Sequence, residues 1–258
     1  MCYNEVMKKK MLNTKQLMNK ISSFYDDICS PCSRERIIFL SQFIRGNKIN
    51  SFIDASCSTG ETIYNLANLN CYFTGIDFSK GMIKAAKAKN ITNNAKFYCA
   101  SMSEFVKKGA KYDCIYTNSI NWLPSLNLFK QTLNDMLEAL SDDGCLILDL
   151  PTNGNILYGE NMSKSLTKGN TIYKKNTIIY KSKESYEYSS DTCIQTYEVI
   201  NMNNGKIKRY IGSLNLLPLK ENDITSVLVE LGNKRYDKVT GYGVNHTDTY
   251  EQFIIYKK

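Results

Sequence analysis

Between Ser51 and Leu150 the chain alternates short apolar runs with stretches of helical periodicity, and this alternation constrains the fold more than any other feature. The apolar runs are Ser51-Phe52-Ile53-Asp54-Ala55, Cys71 to Asp77, Lys96 to Ala100, Tyr112 to Tyr116 and Gly144 to Leu150. Between them lie a segment from about Gly60 to Leu69, one carrying Met82, Ile83 and Ala86, and one carrying Leu128, Leu133, Met136, Leu137 and Leu140. Strands joined by helical crossovers pair in parallel, and the helices then cover both faces of the sheet. The expected fold is α/β, a doubly wound Rossmann-like sheet.

The flanks follow other periods. Leu17, Met18, Ile21 and Phe24-Tyr25 predict one N-terminal helix. A second starts at about Ser33, carries Ile37, Ile38, Leu40, Phe43 and Ile44, and has Gly46 as its stop. After Pro151 the period changes to two, as in Thr192 to Ile200, and Asn203-Asn204-Gly205 is a hairpin signal. A helix from about Asn222 to Leu231 and two strands, Tyr236 to Tyr242 and Gln252 to Tyr256, close the chain. Four units are expected: an N-terminal helical lid (1–48), an α/β core (49–151), an antiparallel β insertion capping the substrate side (152–216), and a C-terminal helix and strand pair completing the core sheet (217–258).

Composition excludes several classes. The longest apolar runs, such as Ile37 to Leu40, are far shorter than the roughly 20 residues of a membrane span. Residues 1–20 lack the apolar core of a signal peptide, so a cytoplasmic protein with no membrane partner is expected. The net charge of +8 divides evenly, +4 in residues 1–150 and +4 in 151–258, with one short run at Lys8-Lys9-Lys10. A nucleic-acid footprint concentrates its basic residues, so nucleic acid is disfavoured as a partner. Nine cysteines, an odd number, imply free thiols in a reducing compartment. Cys29-Ser30-Pro31-Cys32 has no second ligand pair, and His246 is the single histidine, so no metal site is expected.

Two features carry chemistry. Asp54-Ala55-Ser56-Cys57-Ser58-Thr59-Gly60 lies between the first strand and a helix, where the backbone must bend tightly and approach a ligand closely. Asp77 ends the next strand, 17 residues beyond Gly60, which places a carboxylate where the ribose hydroxyls of an adenosine cofactor bind in a dinucleotide-type fold. A nicotinamide enzyme needs G-x-G-x-x-G to receive a diphosphate; here the spacing is small-x-small-x-Gly, with Glu61 directly after it.

With these residues in place the chain resembles the class I S-adenosylmethionine-dependent methyltransferases, from about Tyr25 to Lys258. Asp54 stands at the family's acidic position, Ser56 and Ser58 at its first two glycine positions and Gly60 at the third. The resemblance implies S-adenosylmethionine as cofactor, held by Asp54, Ala55, Ser56, Ser58, Gly60, Asp77, Phe78, Met82, Ser101, Met102 and Asn118. Asp77 would take the ribose, Phe78 would lie beside the adenine, and Thr117-Asn118-Ser119 would line the methionine end. Ser101 stands where the family often carries an Asp for the adenine amino group. A side chain held at φ > 0 at Ser56 or Ser58 would cost about 1 kcal/mol.

The layout is similar to glycine and sarcosine N-methyltransferases and to amino-sugar N-methyltransferases, whose N-terminal helix ends in a pair like Tyr25-Asp26. It implies transfer to an amine or hydroxyl of a small-molecule acceptor by in-line displacement. Tyr25 and Asn118 are the candidate catalytic residues; Tyr25, Asn121 and Trp122 are the candidate substrate residues. The segment Thr117 to Pro124 lacks the paired prolines of nucleic-acid amino-methyltransferases. An RNA methyltransferase and a catalytically impaired cofactor binder remain as alternatives, and a homodimer is compatible with the sequence.

Overall fold

A computed structural model describes residues 11–28, 33–91, 93–106, 109–151, 171–187, 192–215, 217, 219–233, 235–243 and 250–257. Cys29-Ser30-Pro31-Cys32, His246 and the Lys8-Lys9-Lys10 run lie outside them. In chain order the elements begin with helices α1 (Thr14–Ile21), α2 (Tyr25–Ile28) and α3 (Arg34–Gly46). The central part follows as β1 (Ser51–Asp54), α4 (Glu61–Leu66), β2 (Tyr72–Asp77), α5 (Lys80–Ala88), β3 (Ala95–Cys99), α6 (Met102–Val106), β4 (Tyr112–Thr117), α7 (Leu126–Glu138) and β5 (Leu140–Pro151). Then come β6 (Thr171–Lys175), β7 (Ile178–Glu187), β8 (Thr192–Asn201), β9 (Ile207–Asn215), α8 (Glu221–Glu230), β10 (Tyr236–Thr240) and β11 (Tyr250–Tyr256). Among the described residues no helix is long and apolar enough to cross a membrane.

Seven strands form one sheet in the order β10-β11-β5-β4-β1-β2-β3. The strands from β1 to β5 pair in parallel, while β11 runs antiparallel to both β5 and β10. Successive residues point to opposite faces, so Phe52 enters one core with Leu40, Phe73 and Tyr116, and Ile53 enters the other with Ile115, Leu133 and Phe253. Both faces are buried, as a parallel sheet requires. The order of strands reverses between β1 and β4, and in such sheets a ligand binds beyond the carboxyl ends of the strands at that point.

The second sheet is an antiparallel meander, β6-β7-β8-β9. Its β8–β9 turn falls at Asn203-Asn204-Gly205, with Gly205 at φ +62°. Leu12 extends its β9 edge through a parallel bridge to Gly212. Leu17, Met18, Ile21 and Phe24 then pack with Tyr180, Tyr197 and Leu214 into a third apolar cluster, in which Phe24 stacks on Tyr180 and Tyr210. The N-terminal helix and the inserted sheet therefore share one core.

Several boundaries differ from expectation. The N-terminal helix breaks after Ile21 into a tight turn, with Phe24 N–H bonded to the Ile21 carbonyl at 3.0 Å, and restarts at Tyr25. Helix α3 runs through Gly46; the left-handed residue is Lys48 at φ +53°. Ile49 N–H returns to the Ile44 carbonyl at 3.0 Å and Lys48 N–H to Arg45 at 3.3 Å, a Schellman closure with a Lys where Gly is usual. Strand β10 stops at Thr240 because Gly241–Gly243 turns, with Tyr242 at φ +58° and its N–H bonded to the Gln252 side chain.

Candidate functional site

The turn after β1 is held from two sides. Ser58 adopts φ +49°, and Gly60 adopts φ +77°; Ser56 is not in the left-handed region, so the strain anticipated for two serines falls on one. A Cβ at Gly60 would lie 2.9 Å from the Phe97 ring and 3.1 Å from Ala86, so this glycine serves close helix-to-strand packing. Ser56 Oγ pairs with Thr117 Oγ1 at 3.0 Å and donates to Asn118 Oδ1 at 3.2 Å, which ties the turn to the end of β4.

Asp77 sits at the carboxyl end of β2 with 7% of its surface exposed. Its Oδ2 accepts Ser58 N–H at 3.1 Å and its Oδ1 accepts Ser79 N–H at 2.8 Å. Burial pushes its carboxyl up to about 6, against those two bonds. Asp54, buried beneath the turn, is pushed up to about 7, chiefly by desolvation. Ser101 caps α6: its backbone N–H and hydroxyl both donate to Glu104 Oε2, and its Oγ accepts Glu104 N–H, a capping box.

These residues open onto a cavity of about 450 Å³. Ala55, Ser56, Ser58, Asp77, Phe78, Ser101 and Met102 line its core side. Tyr25 and Trp122, together with Thr14 and Met18 of α1, line the lid side. Ala100, Ser103, Ser119, Leu123, Leu128 and Thr132 complete the wall; Ser119 was expected at the methionine end, whereas Leu128, Thr132, Thr14 and Met18 carried no motif in the sequence. Five residues expected at the site do not line this cavity: Asp54, Gly60, Met82, Asn118 and Asn121. Asn118 still touches it through Ser56 and through Ser119 Oγ at 3.0 Å. Asn121 is buried, its carbonyl bonded to Leu217 N–H at 2.6 Å, and its Oδ1 has no partner among the described residues.

Three similarities bear on this geometry. Residues 52–144, from β1 to the start of β5, match the model of a methyltransferase domain. The chain is 28% identical over 189 residues to malonyl-[acyl-carrier protein] O-methyltransferase of Bacillus anthracis, spanning 66% of this chain and 68% of that one. Its fold matches an S-adenosylmethionine-dependent methyltransferase of Clostridium acetobutylicum with TM-score 0.70, at 20% identity over 92% of this chain and 98% of the other.

Residues 52–144 thus form a methyltransferase domain, and the whole chain has the fold of S-adenosylmethionine-dependent methyltransferases. A sugar N-methyltransferase of Streptoalloteichus sp. shares the fold with TM-score 0.68, at 17% identity over 87% of this chain and 88% of the other.

The methyltransferase's own residues fit its cofactor. Each Asp77 oxygen has accepted one N–H and keeps lone-pair capacity for a vicinal diol. Phe78 offers a 38%-exposed ring at the cavity edge. Asp77 is the sole charged side chain among the described lining residues, so a diphosphate would find no cation there, whereas a sulfonium needs none. The Glu61 carboxylate is not what excludes phosphate, because Lys89 neutralises it at 2.6 Å and reaches Asp26 of α2 at 2.9 Å.

A second polar cluster lies under the site and was not anticipated. Asp149 of β5 is fully buried and accepts from Arg36 Nε at 2.8 Å, Tyr116 Oη at 2.9 Å, Tyr242 Oη at 3.0 Å and Gln252 Nε2 at 2.9 Å. Burial first, and then the Asp149 charge, hold the Tyr116 and Tyr242 phenols well above their usual range. The clue was Asp149 itself, a carboxylate inside the apolar run Leu146 to Leu150, which can be buried only with partners.

Proposed function

We propose that the methyltransferase acts on an amine or hydroxyl of a small molecule, by direct in-line displacement. The observation that carries this is the roof of the cavity: Thr14, Met18, Tyr25 and Trp122 close over the Asp77 side and leave a compartment of about 450 Å³. A cavity of that size, shared with the cofactor, leaves room for a compact acceptor, whereas a folded nucleic acid needs an open, basic face. The names of two similar proteins, one an O-methyltransferase and one an N-methyltransferase, keep both acceptor atoms in view.

The cofactor supplies an already activated methyl group on a sulfonium. The protein's part is therefore alignment and exclusion of water. Trp122, Met18 and Leu123 offer apolar walls that fix one face of an acceptor and keep solvent out. Tyr25 and Ser119 offer polar groups that orient its nucleophilic atom. An amine reaches such an uncharged wall most easily in its neutral form, which is also the form that attacks.

The test has two stages. Calorimetric titration should give micromolar-range binding of S-adenosylmethionine and S-adenosylhomocysteine, none of NAD, and about 100-fold weaker binding of both in Asp77→Ala. A radiolabelled methyl screen should then label small amines or hydroxyl compounds and leave transfer RNA unlabelled at low and high salt. Labelled RNA with a steep salt dependence would overturn the acceptor class; cofactor binding with no labelled acceptor in any class would point to an impaired enzyme.

A further inference from the structure

Helix α1 is clasped between the core and the inserted sheet at two glycines. A Cβ at Gly212 of β9 would lie 2.7 Å from Leu17 Cδ2 and 3.0 Å from the Leu12 carbonyl. A Cβ at Gly81 of α5 would lie 2.6 Å from Ser22 Oγ and 2.9 Å from both Cα and O of Asn19. No side chain fits at either contact without displacing the helix. The same helix carries Thr14 and Met18 into the cavity roof.

Asn19 closes the core end of this clasp. Its Oδ1 accepts from Ser79 Oγ at 2.9 Å and from Gly81 N–H at 2.7 Å. The second bond satisfies one of the open N–H groups in the first turn of α5. Ser79 in turn donates its N–H to Asp77 Oδ1, and Asp77 Oδ2 accepts Ser58 N–H. One chain of hydrogen bonds thus runs from the roof helix through Ser79 and Asp77 to the turn after β1.

We infer that Asn19 is a positioning residue that latches the roof onto the cofactor-binding turn, and that release of the demethylated product, S-adenosylhomocysteine, waits for this latch to open. This rests on Asp77 being the ribose carboxylate. The roof helix and the adenosine side line one cavity, so lifting the helix widens the path by which the bound molecule exchanges. The Gly81 bond lies at an exposed edge and the Ser79 bond is part-buried, and neither belongs to the two cores that flank the seven-stranded sheet.

Trp122 is the single tryptophan and lines the cavity, so its fluorescence reports occupancy. Stopped-flow displacement of S-adenosylhomocysteine should show its dissociation rate rising about five- to tenfold in Asn19→Ala, the scale of one or two net hydrogen bonds. Asn19→Asp keeps an acceptor facing the N-terminus of α5 and should restore a rate near the wild type. Gly81→Ala, whose Cβ would press on Ser22 Oγ and the Asn19 backbone, should also speed release. Unfolding midpoints measured in parallel show that each variant is folded. An unchanged rate in both Asn19→Ala and Gly81→Ala, or an Asn19→Asp protein as fast as Asn19→Ala, overturns the latch. Wild-type protein giving no signal with S-adenosylhomocysteine overturns the cofactor site itself, a distinct failure.

Discussion

Asp77 is held by two backbone N–H groups at the end of a parallel strand, whereas Tyr25 and Trp122 stand among side chains packed between a short helix, a tight turn and an inserted sheet. The core side of the cavity is thus built from main-chain geometry, which few residue types can supply. The roof is built from volume and apolar surface, which many combinations can supply. On the proposed function, the core half holds the cofactor and the roof half is free to fit a particular acceptor.

The largest expected effect tests how rigid the core side is. Asp149→Ala strands Arg36 and three other buried groups without their acceptor and should cost about 3–5 kcal/mol in urea unfolding. An unaltered midpoint would mean that α3 is held by packing alone, like the roof. Next, Asp77→Ala should weaken S-adenosylmethionine binding about 100-fold by calorimetry, the loss of two hydrogen bonds to a charged acceptor.

The same carboxylate predicts a pH profile. Its ordinary value is about 4, and burial raises it to about 6. Cofactor affinity should therefore fall as pH drops through 6, and the drop should vanish in Asp77→Asn. Unfolding of the ligand-free protein runs the other way. Asp54 and Asp77 are both raised in the fold, so the stability they lend is complete below about pH 4 and is lost as pH rises through about 6 and 7. Asp54→Asn should flatten that loss in melts at pH 5 to 8.

On the roof, Trp122→Ala should lower kcat/KM for the acceptor roughly tenfold, the scale of one lost apolar contact surface, and leave cofactor affinity within about threefold. Equal losses for both would erase the division between core and roof. The smallest effect is Ser58→Gly. It relieves the side chain at φ +49° but frees the unfolded chain, for a net gain of at most about 1 kcal/mol, or roughly 3 °C in Tm.

The contrast also explains what was legible in the sequence. Strand order, the turn from Asp54 to Gly60 and the place of Asp77 all follow from period, spacing and strand ends, and the sheet has them where the residues implied. Thr14 and Met18 were not legible, because their approach to the cavity depends on Leu12 joining β9, some 200 residues away. Asn118 and Asn121 are polar residues after a strand, as site residues often are, yet it is their neighbours Ser119 and Trp122 that line the cavity. The helix stop was assigned to Gly46 because glycine is the usual left-handed residue, and Lys48 takes that conformation instead.

The place of β11 has a consequence for biosynthesis. It is the last strand in the sequence but sits inside the sheet, between β5 and β10, and it brings Gln252 to Asp149 across 103 residues. At about 5–20 residues per second, a ribosome needs several seconds after completing β5 to deliver that partner. For that interval the nascent chain carries an open sheet edge and a carboxylate missing two of its bonds, those from Tyr242 and Gln252, a form suited to chaperone capture and exposed to mispairing with a neighbouring chain.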